Sequence, residues 1–217
     1  MSNMISRRDL LKRAGAVGAA AVVPISVRQT GSGAPRLEAA QTVQLREPFE
    51  HLTATESDVL EAIVARLIPS DASGPGAKEA RAARYIDRAL GGALSPSHSV
   101  YTAGLAAVDR LAMSSRGRPF KDLSAADQDA LLVDVEAGNA PGFPDAAAFF
   151  ALVRAHTLQG TFCDPYYGGN AGFAGWDLIG YPGVRTLVAA DDQRLGADVT
   201  PNHKSAYDYE MFTNHGN

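Results

Sequence analysis

The most reactive side chains in this 217-residue chain are His156 and Cys163, the latter its single cysteine. A thiol beside an imidazole can act as a nucleophile, because the base draws off the proton and leaves a thiolate. Such a pair also needs a third group to orient the imidazole, and no sequence feature supplies one. The other histidines, His51, His98, His203 and His215, are scattered. There is no H-E-x-x-H, and one cysteine cannot build a thiolate metal site. Gly169, Gly172 and Gly175 are spaced like parts of a phosphate cradle, yet that motif needs a strand before it and a helix after it, and the pattern offers neither. The stretch GPGAK at 74–78 lacks the Walker spacing and the hydroxyl residue after its lysine. Asp71, Asp87, Asp164 and Asp177 read as capping and Asx-turn carboxylates, and Arg84 with Asp87 as a solvated or ion-paired helix face.

The elements that would position these groups are helical. Thr53 and Glu56 have capping-box spacing, and Val59, Leu60, Ile63, Val64, Leu67 and Ile68 follow as an apolar stripe that Pro69 ends. A second helix, with Ala80, Ala83, Ile86, Ala89 and Leu90, stops at Gly91-Gly92. A third runs from about Ser97 to Ser115 through Tyr101, Leu105, Val108 and Leu111. Ser124 and Asp127 open a fourth around Leu131, Leu132 and Val135, and Asp145 opens a fifth with Phe149, Leu152, Val153 and His156. No run of alternating β-branched residues competes, so the expected class is all-α.

The chain is 46% hydrophobic and 7% aromatic, enough for one core of close-packed helices. Its formal charge of -4 is unevenly spread. Residues 1–40 hold six basic and two acidic side chains, which leaves 14 basic against 22 acidic in the remainder. A body that acidic, with no Lys/Arg cluster, is a poor nucleic-acid binder.

The basic end has its own order. Ser6, Arg7, Arg8, Leu10, Leu11 and Lys12 stand before a weakly apolar run from Ala14 to Val23. That run is about half the ~20 residues a membrane-spanning helix requires. It has no polar face, as an amphipathic helix would need. The S-R-R-x-L-L-K order resembles the twin-arginine export signal, with Leu10 where phenylalanine is commoner. Residues 1–40 are therefore read as signal and linker, and 41–217 as one helical domain. No A-x-A directly follows the apolar run, so cleavage within 31–40 and retention as an anchor both stay open. The twin-arginine route carries folded proteins, commonly ones that acquire a cofactor before export. A chain with that address and no cofactor motif suggests that the cofactor belongs to a second polypeptide.

After Gly160 the periodicity ends. GTFCDPYYGGNAGFAGWDLIGYPG, residues 160–183, contains seven glycines, two prolines and six aromatic residues. Glycine allows close backbone approach, and tyrosine and tryptophan supply large, stiff contact surfaces. Residues 162–217 are expected to be irregular and to face a partner, with Phe162, Cys163, Tyr166, Tyr167, Trp176 and Tyr181 as its contacts. As the only cysteine, Cys163 is either a free thiol or half of an intermolecular disulfide.

ARLIPSDASGPGAKEARAARYIDRALGG (65–92), taken with the 160–183 stretch, resembles the gluconate 2-dehydrogenase subunit 3 family, over roughly residues 50–190. That resemblance implies a non-catalytic small subunit. Its large partner would be an FAD-dependent flavoprotein of the glucose-methanol-choline type, which oxidises a sugar or polyol. A membrane-bound c-type cytochrome often accompanies such pairs. The small subunit would assist folding of the flavoprotein and carry it through the twin-arginine translocase, to the periplasm or the outer face of the cytoplasmic membrane. No catalytic, cofactor-binding or metal-ligating residue carries over. Two other readings stand beside it: a self-sufficient exported enzyme built on His156, Cys163 or the carboxylates, and a stand-alone exported binding protein.

Overall fold

The computed structural model describes residues 47–213. Helix α1 (Ala54–Leu67) starts where the sequence places it. The Thr53 hydroxyl accepts from the Glu56 N–H, and the Glu56 carboxylate accepts from the Thr53 N–H at 2.8 Å, a reciprocal cap. Val59, Leu60, Ile63 and Val64 recur at helical spacing and are buried. Beyond Pro69 the loop turns back onto the end of α1. The Ala77 N–H donates to the Ile68 carbonyl, and a Cβ at Gly76 would lie 2.2 Å from that oxygen, so the contact requires glycine.

Four more helices complete the body: α2 (Ala82–Leu90), α3 (His98–Arg116), α4 (Ala125–Glu136) and α5 (Ala146–Phe162). Ser124 caps α4 through the Asp127 N–H, as its spacing predicts. Helix α5 is the central element and packs against all four others. Its sequence has the apolar character this requires, with Phe149, Phe150 and Val153 buried. Where α3 crosses α5, Gly104 lies under the Phe149 ring, 2.2 Å from where a Cβ would stand, and the bare backbone lets the helices close. Tyr101 meets the same phenylalanine edge-on at 6.1 Å. The body is all-α; among the described residues the only bridge pairing is between Asp71 and Gly74. None of the described helices is long and apolar enough to cross a membrane.

One reading from the sequence needs correction here. Arg84 and Asp87 were expected on a solvated or ion-paired face of the second helix; Arg84 is ion-paired, with Glu47 at 3.6 Å, but Asp87 is neither solvated nor paired with it. Asp87 is 0% exposed, and its carboxylate accepts the N–H groups of Glu50, His51 and Leu52 at 2.7, 2.9 and 2.9 Å. It is a capping carboxylate, but for a chain segment about 35 residues away. Arg84 holds the same segment from outside, donating to the carbonyls of Glu47 and Pro48 and lying over the Phe49 ring. The local pattern could not reveal this, because a carboxylate's distant backbone partners leave no mark on its neighbours. Asp87→Ala leaves three backbone donors without an acceptor and should cost about 3 kcal/mol in urea unfolding. A loss under about 1 kcal/mol would mean that water replaces the carboxylate there.

Candidate functional site

At the end of α5 the chain turns sharply, and one side chain fixes the turn. Asn170 is 0% exposed and adopts the left-handed conformation, with φ of 44°, which asparagine tolerates better than most residues. Its Nδ2 donates to the Cys163 carbonyl at 2.9 Å, and its Oδ1 accepts from the N–H groups of Gly175 (2.8 Å) and Trp176 (3.3 Å). Its own N–H donates to the Gly160 carbonyl, and the next residue's N–H reaches the Ala80 carbonyl. The backbones come too close for side chains. A Cβ on Gly169 would lie 2.1 Å from the Gly160 oxygen, and one on Gly175 would lie 1.9 Å from the Thr161 oxygen. The glycines thus serve close approach, as their chemistry suggests, but within this chain.

The turn delivers a short helix, α6 (Ala174–Ile179), which six residues are too few to reveal by periodicity. It carries Trp176, which was expected as an exposed partner anchor. Trp176 is instead 5% exposed, with its Nε1–H donating to the Phe162 carbonyl at 3.0 Å, so in the free chain it is a core residue. Tyr181 remains exposed and meets the indole edge-on at 4.8 Å. The cause is again Asn170, which draws the first turn of α6 down onto α5.

The other aromatic residues point outward. Asp164 caps the 3-10 turn Pro165–Tyr167 through the Tyr166 N–H, and its carboxylate also accepts from the Ser205 hydroxyl and the Ala206 N–H, at 2.6 and 2.8 Å. This brings back a C-terminal segment some 40 residues on. Tyr207 then stacks on Tyr166 with ring centres 3.6 Å apart, and its hydroxyl lies 2.8 Å from that of Tyr167. The hydrogen bond to Tyr167 pushes the Tyr207 phenol up to about 12. The stacked pair leaves Tyr166 58% and Tyr167 49% exposed.

These rings close one end of an open cleft of about 860 Å³ between α2 and α5. Tyr85 and Arg88 line it from α2, and Leu158 and Phe162 from α5, with Cys163, Tyr166 and Tyr167 at the end. Four of the six residues singled out from the sequence therefore meet in one place, whereas Tyr181 lies apart beside Trp176. Arg88, Leu158 and Tyr207 were not among the residues singled out. Leu158 and Phe162 stand at i, i+4 spacing, as do Tyr85 and Ala89, which could have flagged a second apolar stripe on each helix. Nothing local to Tyr207 could have paired it with residue 166.

The candidate nucleophile pair is not assembled. His156 Nδ1 is 2.9 Å from the Tyr101 hydroxyl, stacked on that ring in the core, and burial holds the imidazole below its ordinary value. Tyr101 is pushed upward by the same burial. Cys163 Sγ points to the Gly160 carbonyl at 3.7 Å, and burial pushes its thiol up to about 11. Asp71 makes an Asx turn to Ser73, and Asp177 meets His203 at 2.7 Å. No three metal-ligating side chains converge among the described residues. The export motif Ser6, Arg7, Arg8, Leu10, Leu11 and Lys12 lies outside the described residues.

A family model described as gluconate 2-dehydrogenase subunit 3 matches residues 54–183, more than half of the chain. The match runs from the first residue of α1 to just beyond the turn fixed by Asn170. No curated protein and no solved structure matches.

Two outcomes follow from the reactive groups. With its thiol near 11, Cys163 holds roughly a hundredfold less thiolate than an ordinary cysteine near pH 8. Native protein should therefore be alkylated by iodoacetamide about tenfold more slowly than the urea-unfolded chain, since a more basic thiolate is also the better nucleophile, and equal rates would show that burial does not hold the thiol protonated. His156 has its folded pKa lowered, so its neutral form stabilises the fold fully above the unfolded value of about 6.5. That contribution is lost as pH falls through the lower folded value. Urea midpoints measured from pH 7.5 to 5 should fall for the wild type and fall less for His156→Gln. Parallel curves would assign the acid sensitivity to other groups.

Proposed function

The chain belongs to the gluconate 2-dehydrogenase subunit 3 family, and from that premise we propose that it is the non-catalytic small subunit of an exported FAD-dependent dehydrogenase. In this reading the flavoprotein subunit holds FAD and oxidises a sugar or polyol, and a c-type cytochrome passes the electrons on at the membrane. The chain assists folding of the flavoprotein and carries it through the twin-arginine translocase, so that the complex works in the periplasm or on the outer face of the cytoplasmic membrane.

The family match is the observation that carries this reading, since it covers both quoted motifs and the helical body between them. The S-R-R-x-L-L-K stretch supports the export role. The exposed tyrosines at the end of α5 support a role in association, because tyrosine and arginine are enriched where proteins meet. The engagement of His156 with Tyr101, and the raised Cys163 thiol, argue against a nucleophile of the chain's own.

Changing Arg7 and Arg8 together to lysine should leave both this chain and the flavoprotein in the cytoplasm, as read by fractionation and by dye-linked dehydrogenase activity outside the membrane. Deleting the chain should have the same effect on the flavoprotein. Normal export of the flavoprotein in the deletion strain would remove the carrier role.

A further inference from the structure

The cleft between α2 and α5 has a composition that restricts what can fill it. Its walls are mostly apolar and aromatic, with Gln159 among them, and Arg88 is the only charged residue among the described residues that line it. Arg88 is exposed, and its guanidinium makes no hydrogen bond or ion pair among the described residues, lying over the backbone of Gly168. The residues after position 40 carry 22 acidic against 14 basic side chains, so an unpaired cation inside an apolar cleft is a departure from the surrounding surface.

Anything that covers the cleft takes this guanidinium out of water. A purely apolar cover would leave a desolvated, unpaired charge, which costs several kcal/mol, whereas a carboxylate opposite it restores the pairing. Arginine's fork donates two parallel N–H bonds to a carboxylate. The cover is also extended. Leu158 is 47% exposed at one side, and the Tyr166 ring separates this cleft from a second one of about 540 Å³ that contains Phe173, Tyr207 and Phe212. A small ligand is usually enclosed over most of its surface. Two open clefts divided by a projecting tyrosine are instead the relief that a protein segment fits, with helix faces as walls and an aromatic side chain as anchor.

We infer that the α2–α5 cleft docks an apolar segment of the dehydrogenase flavoprotein that carries a carboxylate opposite Arg88, with Tyr166 and Tyr167 as the central anchors. This rests on the proposed role as a dehydrogenase small subunit and names the surface that serves it. The tyrosines are held by the Asp164 cap on their turn and by Tyr207, which stacks on one and hydrogen-bonds to the other.

The test uses the full-length chain in its native host, with a photo-reactive phenylalanine analogue in place of Leu158. After irradiation, the cross-linked peptide should come from the flavoprotein and include an Asp or Glu. Arg88→Glu and Leu158→Asp, both at exposed positions, should keep the wild-type melting temperature and lower affinity for the purified flavoprotein at least tenfold. Val133→Asp, at another exposed apolar position on α4, should leave affinity unchanged. Lysine in place of the cross-linked acid should restore binding to Arg88→Glu. Unchanged affinity in both cleft variants would overturn the inference and leave the small-subunit reading intact, as would a cross-link to a second copy of this chain or to a small molecule. Failure of any flavoprotein to co-purify with the wild-type chain would overturn both.

Discussion

The Asn170 side-chain amide is a small group with a large share of the architecture. It has one acceptor oxygen and two donor hydrogens, and the oxygen and one donor are engaged by backbone, at Gly175, Trp176 and Cys163. Buried polar groups are stable only when paired, so each partner is held where the amide can reach it. That requirement brings the start of α6 onto the end of α5 and closes the intervening turn. Glycine at 169 and 175 is then a consequence, since the backbones meet at distances that exclude a Cβ, while Gly160 lets α5 close on Ala82 of α2. The tyrosines of the Pro165–Tyr167 turn project outward because both ends of their loop are fixed from within.

A similar device operates on α2. Asp87 collects three N–H groups from the segment that precedes α1, and Arg84 holds that segment from its solvent side. Beside these two polar anchors the helical core is ordinary, centred on α5 and including Leu60, Ile86, Leu105, Phe149 and Val153. Apolar contact sets how closely the helices pack. The buried amide and carboxylate set where the irregular segments attach, because hydrogen bonds have direction and dispersion forces do not.

For function, this division separates support from contact. The residues whose chemistry first suggests catalysis are part of the support. His156 is stacked on and bonded to Tyr101, and Cys163 is half-buried with its thiol raised. The described lining of the cleft between α2 and α5 is mostly aromatic and apolar, with one cation, Arg88. A surface of that kind is suited to binding another protein, and this agrees with membership of a family of dehydrogenase small subunits.

The five main helices were legible in the sequence because their signals are local: a capping box at Thr53 and Glu56, apolar spacing through Val59 to Val64, a serine cap at Ser124, and glycine stops after Leu90. Each arises within one or two helical turns, where neighbours in sequence are neighbours in space. The 160–183 stretch was equally legible as a special segment, from its glycines and rings. Which rings face outward was decided only by the tertiary structure. Composition treats Trp176 and Tyr166 alike, but the Asn170 hydrogen bonds turn one inward, while Tyr207, 41 positions further along the chain, stacks beside the other. Asp87 belongs to the same class, with partners 35 to 37 positions away. Contacts between such distant positions leave no periodic trace in the chain, and they exist only once the core has brought the segments together.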